Sequence, residues 1–379
     1  LGSHDSNWRI VRVATAEAAL DLLSQRQFAL LFAHFADQDD ACDGFLHQVQ
    51  RCSPATIRYA LAANAPGRGE APALDSAYQR FATDTPVSEI ATAIGRGIRV
   101  WLQLTEHPAL TRLLADLRRI PTPPRLYFEI REALQAPESD ARSVADMVSR
   151  DPALTARILK VANSGFYALP RTISETREAI ALLGTDIVSS LVLAAHIFSS
   201  LPVPGVDLDG LWQHSLRVSA LSRRIAADQG GSRQDINAAG VAGLLHDLGQ
   251  LILLANGTDV YHAMLRNAAG DETALLEMER HHFGAGHPEL GALVLSLWSL
   301  PDAIVDAVAH HHDFSRCCEQ PASPIAKAVY WAEFLLSGRH AHLREAGDPT
   351  DAESAANCAD VQLEHWREAC EELLKTGSW

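Results

Sequence analysis

The chain has no apolar run of eighteen residues or more, the length a membrane-spanning helix needs, so no transmembrane segment and no membrane partner are expected. No signal peptide is visible, and Leu1-Gly-Ser-His4 reads as a remnant of processing or cloning. Cysteine is scarce, with 6 in 379 residues (Cys42, Cys52, Cys317, Cys318, Cys358 and Cys370) and no Cys-x-x-Cys spacing. That excludes a disulfide scaffold and predicts reduced thiols in a cytoplasmic protein. Basic residues are also short, 32 Lys and Arg against 47 Asp and Glu, for a net charge of −15. A broad electrostatic nucleic-acid surface is therefore not expected.

What is present is apolar material, 47% of residues, in a chain longer than one core usually serves, which predicts two domains. Histidine is abundant, with 17 residues, several of them clustered. The stretch Gly240-Val-Ala-Gly-Leu-Leu-His-Asp-Leu-Gly-Gln250 sets an adjacent His246-Asp247 pair inside an apolar run. Imidazole nitrogen and carboxylate oxygen together suit zinc, iron, manganese or nickel.

Trp8 to Ala14 alternates apolar and polar residues and predicts a strand; Thr15 caps a helix running to Ser24. Phe28–Ala33 predicts a buried parallel strand, Cys42–Arg51 a helix, Thr56–Ala62 a strand and Phe81–Thr83 a last short one. Pro86 is expected at the first position of the next helix. Such alternation implies a small α/β domain with a parallel sheet. Ser88–Leu117 is helical in pattern, broken at Pro108, and residues 101–119 are expected to act as a linker helix. Ile120-Pro-Thr-Pro-Pro124 marks a stiff boundary. Beyond it strand alternation gives way to helical periodicity over residues 120–345, with Ser143 and Asp151 as expected caps and Pro152 at a helix start. The tail, 346–379, holds a disordered-looking Asp348–Ser354 and an amphipathic helix from Asp360 to Leu374, expected to dock on its own domain.

The order of elements, Ala18-Ala-Leu-Asp-Leu-Leu23 and Thr56-Ile-Arg-Tyr59 together resemble a response-regulator receiver domain entered at its second strand. The resemblance implies docking or dimerisation rather than phosphorelay. His34 stands where the phospho-accepting aspartate belongs, Ala62 or Ala63 where Ser or Thr belongs, and Thr85-Pro86 where Lys-Pro belongs. The first receiver strand, with its acidic pair, is missing or lies upstream of Leu1. Its place in the sheet is then filled by direct pairing of the second and third strands, or by a partner chain.

In the second domain, Asp151-Pro-Ala-Leu-Thr-Ala-Arg-Ile-Leu159, Ala162-Asn-Ser-Gly-Phe-Tyr167, Ala181-Leu-Leu-Gly184, Leu211-Trp-Gln-His-Ser215 and Gly243-Leu-Leu-His-Asp-Leu-Gly249 resemble the HDOD family over about Ile120 to Phe314. These are helical, HD-related output domains of bacterial signalling proteins, with no established reaction. The expected architecture is thus an incomplete α/β receiver-like domain (1–100) followed by an all-α HD/HDOD-type domain. The wider HD superfamily implies a ligand set of His214, His246, Asp247, His287, His311, His312 and Glu333, the last where an aspartate is usual. That set would hold one or two divalent ions (Fe, Mn, Ni or Zn). The other reading of the same side chains is structural, as buried and mutually hydrogen-bonded relics.

Arg217 and Lys327 are phosphate-binding candidates by proximity in sequence. His281-His282 is expected on a solvated face and Asn163-Ser164 in a capping or kinking role. His340 and His342 receive no role, and Cys317-Cys318 is a poor chelate. The expected function is signal transduction through a protein partner, a second copy or a nucleotide ligand, with metal-dependent hydrolysis of a nucleotide or phosphodiester as the alternative.

Overall fold

A computed structural model describes residues 9–35, 40–62, 77–83, 85–117, 120–121, 123–135, 141–163, 172–201, 203, 206–313, 323–337 and 362–375. The expected Ser164, His340, His342, Cys317-Cys318 and Asp348–Ser354 features lie outside them. The chain forms two compact units. One comprises Leu1–Thr122, Leu276–Gly286 and Leu293–Leu300; the other comprises Pro123–Leu275, His287–Ala292 and Pro301–Trp379.

In the first unit, β1 (Leu30–Phe35), β2 (Ile57–Ala62) and β3 (Gln79–Ala82) form a parallel sheet in the order β1-β2-β3. The register sets Leu30 opposite Ile57 and Tyr59 opposite Gln79. Alternation sorts the faces: Phe32, Tyr59 and Phe81 stack on one side, with centroids 5.1 and 5.5 Å apart, and Tyr59 donates to the Ala93 carbonyl at 2.9 Å. Ala33 and Ala60 face the other way, into a core with Ala19, Leu23, Leu46 and Val49. Helix α1 (Ala16–Gln25) is capped by the Thr15 hydroxyl, which accepts from Ala18 N at 3.2 Å. Helices α2 (Asp40–Cys52), α3 (Val87–Glu106) and α4 (Pro108–Asp116) complete the chain's first 116 residues.

Three expectations change here. Arg9–Val13 belong to no strand, and Ile10, Val11 and Val13 are exposed. Alternation over seven residues permits a strand, but a ladder partner makes one, and among the described residues β1 pairs with β2 alone. The pairing expected for the second and third receiver strands therefore does not form among the described residues. Pro86 stands one residue outside α3, as its N-cap. Within residues 101–119, α4 is tied to α2: Gln50 donates to the Leu114 and Leu117 carbonyls at 2.8 and 2.5 Å.

The second unit is helical: α5 (Arg125–Gln135), α6 (Ala141–Val148), α7 (Pro152–Ala162), α8 (Thr176–Leu183), α9 (Thr185–Ser200), α10 (Leu208–Asp228), α11 (Arg233–Leu245), α12 (Leu248–Asn256) and α13 (Thr258–Ala268). Next come α14 (Glu272–Phe283) and α15 (His287–Leu297), which contribute residues to both units. Last are α16 (Asp302–Ala309), α17 (Pro324–Leu336) and α18 (Gln362–Lys375). Asp151 caps α7 by accepting from Ala153 N and Leu154 N, with Pro152 in the first turn. Ser143, by contrast, lies inside α6, because that helix starts at Ala141. Asn163 closes α7 by donating to the Leu159 and Ile173 carbonyls while accepting from Ile173 N at 2.6 Å.

The segment Arg233–Asn256 is long and apolar enough to span a membrane, but 83% of its apolar window is buried inside the protein, as a core helix requires. Helix α18 packs on α10 and α17, with Trp366 fully buried beside Trp331.

Candidate metal centre

Five segments of the helical unit supply the site, and local sequence explains how each reaches it. Gly243 lets α11 lie against α10: a Cβ there would sit 2.9 Å from Ser222 Oγ and the Val218 carbonyl oxygen. The Ser219 hydroxyl donates to the Gly240 carbonyl at 2.7 Å and pins the same crossing. The helical run then breaks at the functional pair. His246 ends α11, and Asp247 takes φ −90°, ψ 15° before α12 begins. In one continuous helix these two side chains would diverge by about 100°. The break brings His246 Nε2 within 3.2 Å of Asp247 Oδ2. Gly249 is the second enabling glycine, since any Cβ would overlap the His287 carbonyl oxygen at the start of α15.

All seven residues expected from the sequence converge. In one half, His214 Nε2 lies 2.9 Å from Glu333 Oε2, and His246 Nε2 lies 3.2 Å from the same oxygen. In the other half, His287 Nε2 lies 3.3 Å from His311 Nε2 and 3.1 Å from His312 Nε2. Asp247 spans the two, with Oδ2 toward His246 and His214 and Oδ1 3.7 and 3.8 Å from His287 and His311. His246, His287, His311 and Glu333 are buried, whereas His214 and Asp247 keep 28% and 13% of their side chains exposed. The site therefore opens on one side.

The donor set fits a cation. His246 Nδ1–H donates to the Gly243 carbonyl at 2.9 Å, and His311 Nδ1–H donates to the Val308 carbonyl at 2.7 Å. In the neutral rings both Nε2 lone pairs then point into the cluster, the tautomer a metal ligand needs. His246 Nε2 and Glu333 Oε2 are buried without a well-formed hydrogen bond. Two donors each ~2.1 Å from one ion stand about 3.0–3.4 Å apart at octahedral or tetrahedral angles. The spacings of 2.9–3.3 Å lie in or just below that range, whereas His214 Nε2 and Asp247 Oδ2 stand 3.8 Å apart. His287, His311 and His312 form one group able to hold a metal; His214, His246 and Asp247 form another.

Electrostatics differ between the halves. Burial disfavours charge on His246 and His214, but the neighbouring carboxylates prevail and raise both pKa values. Burial and the adjacent histidines push His311 down to about 3 and His312 well below its ordinary value. Burial opposes ionisation of Glu333 and Asp247, yet the surrounding imidazoles hold both carboxyls low.

The remaining sequence candidates sort clearly. Arg217 lies three residues beyond His214, on the same face of α10, with its Nε buried and without a hydrogen-bond partner among the described residues. Lys327 lies six residues before Glu333, about 120° around α17. His281 and His282 are exposed. Sequence reasoning missed Glu272, whose Oε2 lies 3.6 Å from His312 Nε2. Its only signal is its place in the first turn of α14.

The HDOD domain family model matches residues 120–314, just over half of the chain. An uncharacterised protein of Treponema pallidum (strain Nichols) is 22% identical over 244 residues, 64% of this chain and 47% of that protein. Ribonuclease Y of a Nitratiruptor species is 30% identical over 132 residues, 35% of this chain and 19% of the enzyme. The chain thus spans about half of the first relative and a fifth of the second. A crystal structure of an HDOD domain protein from Geobacter sulfurreducens superposes with a TM-score of 0.52 at 24% identity, covering 71% of this chain and 98% of that one. That likeness concerns the fold.

Proposed function

The chain belongs to the HDOD family, and from the geometry of its histidine cluster we propose that its helical unit is a metal-dependent phosphohydrolase acting on a phosphodiester or nucleotide. The observation that carries this reading is the convergence of seven ligand side chains in two halves bridged by Asp247. His287, His311 and His312 would hold one divalent ion and His214, His246 and Glu333 a second, with Asp247 between them. Bound there, such ions polarise a phosphoryl oxygen and make water a nucleophile at neutral pH.

The chain's own groups supply the rest. Backbone carbonyls of Gly243 and Val308 fix the tautomers of His246 and His311. Burial of four of the seven residues keeps bulk water from the inner side, so substrate enters past His214 and Asp247. Arg217, on the His214 face of α10, would balance phosphate charge. The net charge of −15 disfavours a long polyanion, so the reading favours a small phosphodiester; the ribonuclease relative supports the bond type alone.

The test is elemental analysis of the purified protein, then assays with Mn²⁺, Fe²⁺ or Ni²⁺ on a panel of phosphodiesters and nucleotides. One or two tightly bound ions per chain are expected. His246→Ala should lose metal and lower turnover beyond the ~10–100-fold cost of losing a residue that merely orients a ligand. Metal without turnover would overturn hydrolysis, and no metal would overturn the site itself.

The N-terminal unit supports a signalling context. As a receiver-like module that docks a partner or a second copy, it would form no aspartyl phosphate, because His34 occupies the end of β1 where an acceptor aspartate would be needed. Incubation with a small acyl phosphate and Mg²⁺ should give no hydroxylamine-sensitive aspartyl phosphate in this unit, and such an adduct would refute this.

A further inference from the structure

A cavity of about 320 Å³ lies in the helical unit between α7, α9 and α10. Arg157 and Lys160 of α7, Phe198 of α9, and Asp209 and Trp212 of α10 line it. Asp209, Trp212 and Leu216 recur at helical spacing on one face of α10. His214, two residues beyond Trp212, points about 200° away from it. The cavity is therefore on the side of α10 opposite the histidine cluster.

Its apolar walls are packed, and its charged residues Arg157, Lys160 and Asp209 are exposed at its mouth. The Arg157 guanidinium sits 5.6 Å from the Trp212 ring centre, and its Nη1 donates to the Ala195 carbonyl at 3.4 Å. Phe198 meets the indole edge-on, with centroids 5.2 Å apart and planes at 80°. Lys160 lies three residues after Arg157, on the same face of α7, and has no acidic partner among the described residues. Asp209 pairs with neither cation. In a chain with 47 acidic and 32 basic residues, two cations that have no acidic partner among the described residues, on one aromatic-walled cavity, call for an anion with a ring.

We propose that this cavity is a second binding site, distinct from the metal cluster, that takes a nucleoside 5′-monophosphate. The indole offers a stacking surface for the base, a contact every nucleobase can make. Lys160 and Arg157 meet the phosphate through charge-assisted hydrogen bonds. The Asp209 carboxylate accepts from ribose hydroxyls, a use that would separate a nucleotide from bare phosphate. The volume falls at the lower end of the roughly 300–1,000 Å³ usual for small-molecule sites, which favours a mononucleotide over a larger ligand or a peptide.

The experiment is calorimetric titration of the full chain, with chelator present so that the metal cluster is out of play. The probes are AMP, GMP and CMP, their free nucleosides, inorganic phosphate and a short acidic peptide. At least one monophosphate should bind at micromolar to submillimolar Kd, and its nucleoside and phosphate about tenfold more weakly or worse. Lys160→Ala, at an exposed position whose truncation leaves the core intact, should weaken binding about tenfold, and Arg157→Ala by a similar factor. Trp212→Phe should retain binding while Trp212→Leu loses it; His246→Ala should leave it unchanged. Binding indifferent to Lys160→Ala, binding abolished by His246→Ala, equal affinity for phosphate alone, or preference for the peptide would each overturn the proposal.

Discussion

His311 shows how much one residue's surroundings decide. Burial comes first, then the like charge that His246 and His287 would carry, and together they hold its pKa near 3 against an ordinary 6.5. Below pH 6.5 the unfolded chain takes up a proton that the native, metal-free site refuses, so stability falls as pH drops from 6.5 toward 3. Glu333 adds loss in the same direction at lower pH, since its carboxyl is held below the ordinary 4.5. His246 works oppositely, because its raised pKa gives stability that is present below 6.5 and lost as pH rises through the folded value. Chelator-treated His311→Asn should therefore show a shallower decline in denaturant-derived stability between pH 6.5 and 4.5 than the parent. An unchanged slope would mean that His311 is protonated in the native state.

Among the elements, two glycines in helices should answer the same substitution with opposite signs. Alanine in a helix interior gains about 0.8–1 kcal/mol over glycine. At Gly95 of α3 a Cβ meets nothing within 4 Å, so Gly95→Ala should stabilise its unit. At Gly249 a Cβ would overlap the His287 carbonyl, so Gly249→Ala should cost about 1–3 kcal/mol net and lower bound metal by displacing α15. Thermal melts with metal analysis read both, and a stabilised Gly249→Ala would show that α12 and α15 are not in contact.

Such crossings are what a linear sequence conceals. Caps at Thr15 and Asp151-Pro152 and the long helical periodicities were legible because each depends on neighbours in the chain. Trp8–Ala14 misled because alternation carries no information about a ladder partner. The break between α11 and α12 was invisible because apolar residues continue through it. Periodicity alone did not reveal the grouping of His214, His287, His311, His312 and Glu333 with the His246-Asp247 pair; resemblance to a ligand order suggested it, and the packing brings the atoms together.

At the scale of the whole molecule, the candidate ligands come from α10, the α11–α12 break, the start of α15, the residues after α16, and α17, whereas the sheet unit contributes none among the described residues. An ion held by the native helical unit, and not by the unfolded chain, lowers the native free energy by RT ln(1 + [M]/Kd), about 4 kcal/mol at a thousandfold excess over Kd. That stabilisation is felt wherever exchange requires the ligand-bearing helices to open. Adding Mn²⁺ to chelator-treated protein should therefore slow amide hydrogen exchange most in α10, α11 and α17. Amides of β1, β2 and β3 should keep their metal-free rates. In His246→Ala the added protection should shrink across all three helices together, because a cluster bridged by Asp247 loses its closure when one half is cut. Equal protection of sheet and helices would mean that the two units open as one. Protection confined to the sheet would place the ion outside the histidine cluster altogether.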